Sequence, residues 1–200
     1  MAKGGEFERE VCKDLSRWWT DDPERDDVFW RSSNSGGRAT MRKKRGKKTY
    51  GHVGDVAAVD PIGKPFLDFM TVEIKRGYSK HTLSSLLDTP RHAAQQQWEG
   101  FIQQAEQARI DSGSRFWMIV AKRDQRIRFV VFPFEVFRTL GLRRADFRPL
   151  ENISAKIRFF IKDSDGDYRV SSRSLRVSAV QWDSWIQNVS PDLIRGLSDG

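Results

Sequence analysis

Cysteine is nearly absent from the sequence and long hydrophobic runs are missing, and each absence excludes a class of protein. Cys12 is the single cysteine among 200 residues, which excludes an internal disulfide and a zinc site built from several cysteines. No apolar run approaches the roughly 18 residues of a membrane-spanning helix. The opening residues MAKGGEFERE carry charges where a secretory signal peptide has an apolar segment. We therefore expect a cytoplasmic protein with no membrane partner.

Negative charge is missing from one long stretch, and positive charge is concentrated there. Neither aspartate nor glutamate occurs between Asp27 and Asp55, although the whole chain holds 27 acidic and 35 basic residues. A surface that faces a polyphosphate needs such a stretch, because fixed negative charge would repel the ligand. The pattern indicates a nucleic-acid partner, and a solvated basic loop or a targeting segment is the alternative. The residues expected to bind nucleic acid here are Arg38, Arg42, Lys43, Lys44, Arg45, Lys47 and Lys48.

The rest of the composition is typical of a folded chain. Hydrophobic residues make up 38% of the sequence and aromatic residues 12%, so extended disorder is excluded. A chain of this length fits one domain, or one domain with a small appendage. We expect a core over residues 1–135, which includes a basic loop at 32–51, and an extension over 136–200 with a β-hairpin and a helix.

Hydrophobic periodicity predicts the order α-β-β-β-α-β-β along the core. Phe7, Val11 and Leu15 recur at helical spacing, which predicts an amphipathic first helix. Segments 52–60 and 65–77 are rich in β-branched and aromatic residues and flank a turn, which predicts an antiparallel hairpin. The other expected elements are helices at 5–19 and 91–111, strands at 28–31, 116–123 and 126–132, and a C-terminal hairpin of 157–162 and 168–172 before a short helix at 182–188.

The strand that ends in TVEIKRG carries the residues with the clearest chemistry. Side chains alternate between the faces of a strand, so Glu73 and Lys75 point together, and the predicted hairpin brings Asp55 close to Glu73. Two neighbouring carboxylates repel unless a proton or cation lies between them, and hard oxygen ligands suit Mg²⁺. Such a cation binds substrate phosphate and lowers the pKa of a bound water. The alternatives are an exposed Glu73–Lys75 pair and a turn-capping role for Asp55.

These residues resemble the signature of the PD-(D/E)XK nucleases, which share the restriction-endonuclease fold. The signature stands here as Gly54-Asp55 and then Glu73-Ile74-Lys75. The segments KGGEFERE (3–10), VFWRSSNSGG (28–37) and QQWEGFIQQAEQ (96–107) are similar to motifs of the archaeal-type Holliday junction resolvases, and phage nucleases of the superfamily are also similar. The resemblance covers residues 3–133. Two departures are Gly54, which replaces the usual proline, and the 17 residues between Asp55 and Glu73.

The resemblance implies an α/β fold with a mixed central sheet flanked by helices, and a Mg²⁺-dependent DNA endonuclease in which Mn²⁺ can substitute. It implies a homodimer that acts on branched or duplex DNA. By this resemblance Asp55, Glu73 and the Ile74 carbonyl hold the metal with Glu8 nearby, Lys75 is the catalytic lysine, Arg9 and Arg31 contact phosphate, and Gln97 is a possible helper. For Glu8 the alternative is an acidic first turn that complements the helix N-terminus. The alternative function is a non-catalytic nucleic-acid-binding or packaging protein that uses the basic loop.

Overall fold

A mixed five-stranded sheet forms the centre of the computed structural model, which describes residues 3–32, 53–78, 81–88, 94–162 and 167–197. In spatial order its strands are β3 (Met70–Arg76), β4 (Phe116–Lys122), β5 (Phe129–Pro133), β7 (Tyr168–Gln181) and β6 (Leu150–Lys162). β3 and β4 are parallel, whereas the other neighbours are antiparallel. Helices pack against the sheet, so the predicted α/β class with a mixed, helix-flanked sheet is confirmed.

Helix α1 (Lys3–Thr20) lies on one face of this sheet. Phe7, Val11 and Leu15 are fully buried, as their spacing predicts, and belong to the same cluster as Val72 and Val120 of the sheet. α1 also contacts a small antiparallel pair, β1 (Phe29–Arg31) and β2 (Val56–Ala58). The first helix thus bridges the sheet and the two short strands.

Helix α3 (Gln97–Ser112) covers the other face and packs through Trp98, Phe101 and Ala105. It begins at Gln97 rather than at residue 91. Glu99 accepts a hydrogen bond from the Gln96 backbone N–H, so a capping box fixes this start. The helix ends where expected, at Gly113, whose φ of 76° is left-handed.

The predicted strand at 65–77 is wrong in its first half, and so is the predicted hairpin. Residues Lys64–Phe69 form a short helix, α2, after a 3₁₀ turn at Pro61–Gly63. Pro65 suits the first helical turn because its φ is already fixed at a helical value. Phe66 and Phe69 are both buried. Their spacing of three residues places them on one side of a helix, although a strand that is apolar on both faces would also bury them. β2 therefore pairs with β1 and contacts β3 without forming a hairpin with it.

The C-terminal hairpin is confirmed, and its strands are longer than the sequence predicts. β6 and β7 pair from Leu150–Val180 to Lys162–Tyr168, and β7 joins the central sheet through β5. Three short helices complete this part: α4 (Glu135–Thr139), α5 (Trp182–Asn188) and α6 (Pro191–Arg195). The division between residues 135 and 136 stays a prediction. None of the described helices combines the length and apolar character needed to cross a membrane.

Candidate active site

Asp55 lies immediately before β2 and is fixed by three backbone-directed hydrogen bonds. Its carbonyl accepts from the Ser32 N–H at 2.9 Å, and its own N–H donates to the Val72 carbonyl at 2.8 Å. Its side-chain Oδ2 accepts from the Ile74 N–H at 2.7 Å. The carboxylate therefore lies on the free edge of β3, where both main-chain groups of Ile74 point, because the N–H and C=O of one strand residue face the same edge.

Gly54 explains the departure from the usual proline. Its φ is +85°, which a proline ring cannot adopt because it fixes φ near −65°. A Cβ at this position would lie 2.8 Å from Thr71 Oγ1 and 2.8 Å from the Val72 carbonyl oxygen. Only glycine can therefore bring the chain this close to β3, and that approach places Asp55 beside Ile74.

Glu73 and Lys75 lie on one face of β3, as the strand alternation predicts. Lys75 Nζ donates to Glu73 Oε2 at 2.8 Å and to Gln104 Oε1 of α3 at 2.9 Å. The Glu73 side chain is only 3% exposed and that of Lys75 is 11% exposed. The alternative of a solvent-exposed pair is therefore wrong. Both charged groups are largely shielded from water, which strengthens their interaction.

The carboxyl group of Asp55 is strongly perturbed by this environment. Burial raises its pKa, and the nearby charge of Glu73 raises it further, to about 7. Lys75 and the hydrogen bond from Ile74 act in the opposite direction. At neutral pH this carboxyl group is thus close to half protonated, and a cation bound there would compete with the proton.

Glu8 and Arg31 meet at the same site, from α1 and β1. Arg31 Nε donates to Glu8 Oε2 at 2.8 Å, and a second guanidinium nitrogen is also 2.8 Å from that oxygen. The negative charge of Glu8 contributes to the raised pKa of Asp55, so the two carboxylates are neighbours. Arg9 follows Glu8 on α1 and is partly buried. Phosphate contacts for Arg9 and Arg31 stay predictions.

Burial also explains why Cys12 is not a nucleophile. The thiol is fully buried on α1, and this burial together with the charges of Glu8 and Asp55 raises its pKa to about 12. The thiolate is therefore not formed at neutral pH, and Cys12 is a structural thiol of the core.

The donor atoms of the site suit a hard divalent cation, although the arrangement is not that of a finished metal site. Within the described ranges, no group of three or more histidine, cysteine, aspartate or glutamate side chains is placed to hold a metal ion. Glu8 and Glu73 are instead ion-paired with Arg31 and Lys75. The chemistry still fits, because the two repelling carboxylates of Asp55 and Glu73 lie beside a strand edge that offers a carbonyl oxygen.

Gln104 was not identified by the sequence motifs, yet it is the residue that contacts Lys75. It is an exposed residue of α3, three residues after the buried Phe101 and four before the buried Ala108, so it lies on the stripe of the helix that borders β3. Gln97 lies two turns earlier on that stripe, about 10 Å along the helix axis. Its role as a helper stays a prediction.

The predicted nucleic-acid-binding cations of the basic loop lie outside the described residues. These are Arg38, Arg42, Lys43, Lys44, Arg45, Lys47 and Lys48. Their contribution to binding stays a prediction that rests on the charge pattern.

Comparison with known proteins identifies the family. The family described as "Phage putative PDDEXK endonuclease" matches residues 1–195, which is nearly the whole chain and includes the C-terminal hairpin. No curated protein and no solved structure matches the chain. The match agrees with the α/β fold and with the Asp55, Glu73 and Lys75 signature at the edge of the sheet. The chain therefore belongs to the phage PDDEXK endonuclease family.

Proposed function

We propose that this protein is a Mg²⁺-dependent DNA endonuclease that acts on branched DNA, as a homodimer in the cytoplasm. The observation that supports this most directly is the joint placement of Asp55, Glu73 and Lys75 around the Ile74 backbone. The family match supports nuclease chemistry. The cation, the substrate shape and the dimer are proposals that rest on the donor set and on the resemblance to junction resolvases.

In this proposal Asp55, Glu73 and the Ile74 carbonyl hold the divalent cation, with Glu8 nearby. The bound cation would supply a water of lowered pKa and neutralise charge on the phosphate. Asp55 would give up its proton when the cation binds, because its pKa of about 7 reflects its burial and the nearby charge of Glu73.

Lys75 orients the attacking water and stabilises the negative charge that develops on the phosphate oxygens. Its ammonium group is nearly buried, so its charge is poorly screened by solvent. Gln104 Oε1 accepts a hydrogen bond from the Lys75 ammonium group at 2.9 Å, and this bond limits the rotation of the lysine side chain. Arg31 is the phosphate contact that the resemblance implies, and its guanidinium group lies beside Glu8.

A cleavage assay tests the proposed chemistry. We expect the purified protein to cut DNA with Mg²⁺ or Mn²⁺ and to leave it intact in EDTA. Asp55→Asn, Glu73→Gln and Lys75→Ala should each lower the rate by roughly 10²-fold or more, because each removes a group from the reacting centre. Binding of DNA, measured in EDTA, should stay within a few-fold of wild type.

Glu24→Gln is the matched control, since Glu24 is an exposed turn residue away from the site. It should cut at the wild-type rate. Wild-type cleavage rates in both Asp55→Asn and Glu73→Gln would show that the site is wrongly assigned. Tight, salt-sensitive binding with no cleavage in either metal would support the non-catalytic alternative instead.

A further inference from the structure

A shallow recess lies directly beside Lys75, and its lining combines aromatic rings with positive or ionisable groups. It is formed by Tyr78, Trp98, Phe101, Phe129, His81 and Arg123, together with Lys75 itself. Neither aspartate nor glutamate occurs among the described residues that line it. Aromatic faces with cations and without carboxylates are the surface chemistry that suits a nucleobase joined to a phosphate.

Tyr78 is the exposed ring of this recess, and the backbone fixes its position. The chain leaves β3 through two consecutive left-handed residues, Gly77 at φ +95° and Tyr78 at φ +49°. The Gly77 N–H donates to the Lys122 carbonyl at 3.0 Å, which ties the turn to β4. A left-handed tyrosine is unusual and costs free energy, and such residues concentrate at functional sites. The ring remains 47% exposed although its backbone is constrained.

Phe101 connects this ring to the catalytic lysine. The Tyr78 ring packs edge-on against Phe101, with centroids 4.8 Å apart and an interplanar angle of 76°. Lys75 Nζ lies 5.6 Å from the centroid of the same Phe101 ring. A phosphate held at Lys75 and a base stacked on Tyr78 are therefore close enough to belong to two adjacent nucleotides.

The wall of the recess also contains an unsatisfied donor. The Trp98 indole N–H is buried and has no acceptor among the described residues. Trp98 packs edge-on against Phe101 at 5.4 Å, so this donor belongs to the same aromatic cluster. Buried donors without a partner are rare in folded proteins, and an acceptor atom supplied by a ligand is one way to satisfy this one.

We propose that an unpaired base next to the cleaved phosphodiester bond stacks on the exposed ring of Tyr78, at the mouth of this recess. The inference rests on the proposed nuclease function and specifies its substrate class. A paired base within a duplex is covered on both faces by its neighbours, so it cannot also stack on a protein ring. DNA with unpaired nucleotides at the cleavage site, as at a flap or a branch point, presents a free base face.

A binding experiment in EDTA tests the recess without any cleavage. The two probes are a duplex with a short unpaired tail that carries the fluorescent base 2-aminopurine, and a fully paired duplex of the same sequence. We expect the wild-type protein to quench 2-aminopurine in the tail by stacking. Tyr78→Ala should abolish the quenching and weaken binding of the tailed probe roughly 5- to 150-fold. Binding of the paired duplex should change less than twofold.

Two further variants separate stacking from general effects. Tyr78→Phe keeps the ring and should bind and quench within about twofold of wild type. Tyr168→Ala removes another exposed tyrosine, on the C-terminal hairpin, and should leave both probes unaffected. Thermal unfolding of Tyr78→Ala checks that the half-exposed ring is not needed for folding.

The outcomes distinguish this inference from the proposed function. Equal binding of the tailed probe by Tyr78→Ala and wild type overturns the proposed stacking of a base on Tyr78. An equal loss of affinity for both probes overturns it as well. A protein that quenches the unpaired base but never cuts DNA refutes the nuclease proposal and keeps the base-binding recess. A protein that cuts DNA with no dependence on Tyr78 keeps the nuclease and refutes the recess.

Discussion

Asp55 and Glu73 belong to one site, but the protein neutralises their charges differently. Glu73 is paired with the Lys75 ammonium at 2.8 Å. Within the described part of the chain no cation forms an ion pair with Asp55, which accepts from the Ile74 N–H instead. Burial, together with the nearby charge of Glu73, raises the pKa of Asp55 to about 7. Asp55 is thus a carboxyl group whose charge depends on pH near neutrality.

The raised pKa of Asp55 predicts how stability depends on pH in EDTA. Well below pH 4 the carboxyl group is protonated in both the folded and the unfolded state, so it contributes no difference. Between pH 4 and about 7 the unfolded state ionises first, and the folded protein loses stability. Asp55→Asn cannot ionise and keeps an oxygen for the Ile74 N–H. At pH 8 this variant should be more stable than wild type, by on the order of 2–4 kcal/mol.

Urea unfolding between pH 4 and pH 8 measures this effect. The difference between Asp55→Asn and wild type should disappear near pH 4. Asp124→Asn, at an exposed turn, is the control and should follow the wild-type curve. A wild-type protein that is as stable as Asp55→Asn at pH 8 would contradict the raised pKa.

At the scale of elements, the sequence predicts β3, which carries the candidate site, well and its surroundings less well. Alternation along β3 places Glu73 and Lys75 on one face because strand geometry is local. Residues 64–69 are apolar enough for either a strand or a helix, and Pro65 with the buried packing of Phe66 decides for the helix. The contact of Gln104 with Lys75 joins residues 29 positions apart, so only the packing of α3 on β3 reveals it.

The close approach of the Gly54 segment to β3 predicts a large effect of one methyl group. Gly54→Ala would introduce a Cβ 2.8 Å from the Val72 carbonyl oxygen, in addition to the strain of φ +85°. We expect a loss of about 2–5 kcal/mol in the free energy of unfolding, because left-handed strain and overpacking add. Cleavage should also fall, since the shift displaces Asp55 from Ile74.

Gly113→Ala is the matched control for this change. Gly113 has a similar φ of +76°, but nothing lies within 4 Å of its added Cβ. This variant should lose only the cost of left-handed strain, about 1–2 kcal/mol, and should keep its cleavage rate. Similar unfolding free energies for the two variants would show that the contact with β3 is unimportant.

The basic loop is an element whose predicted role is electrostatic. Each phosphate that a cation neutralises releases condensed counterions, which steepens the dependence of log K on log salt by roughly 0.9. Replacing Arg42, Lys43, Lys44 and Arg45 with alanine should flatten the slope by roughly 3–4, measured by DNA binding in EDTA. The charge-preserving exchange Arg42→Lys, Lys43→Arg, Lys44→Arg and Arg45→Lys should keep the slope. An unchanged slope in the alanine variant would exclude the loop from binding.

At the scale of the whole molecule, one sheet joins the candidate site to the C-terminal hairpin. β3 carries Glu73 and Lys75 at one edge, and β6 forms the other edge. The pairing of β5 with β7 connects residues about 50 positions apart in the chain, such as Val131 and Ala179. Local sequence patterns predict β5 and the 157–162 and 168–172 parts of the hairpin, but neither the 177–181 part of β7 nor its pairing with β5, because that pairing is decided by long-range burial. The resemblance over 3–133 therefore covers only part of the sheet.

The distribution of charge over the whole molecule predicts recognition of DNA shape rather than sequence. Positive charge is concentrated in the loop at 32–51 and in the segment 115–148, and the sequence shows no recognition helix with base-reading side chains at regular spacing. A symmetric dimer would present two sites to the two strands of a branched junction. We expect a four-way junction to be cut at least several-fold faster than a linear duplex of the same sequence.

A competition assay with equal concentrations of the two substrates measures this preference directly. Junctions whose arms differ in sequence away from the branch point are the control, and they should be cut at equal rates because phosphate and shape contacts carry no sequence information. Molecular mass in solution, measured with and without junction DNA, should correspond to two chains. Equal cleavage of junction and duplex, or strict dependence on a short sequence, would contradict shape recognition. It would leave the family's nuclease chemistry intact, because in the proposed mechanism the carboxylates and lysine at the edge of β3 act on the phosphodiester and not on the branch.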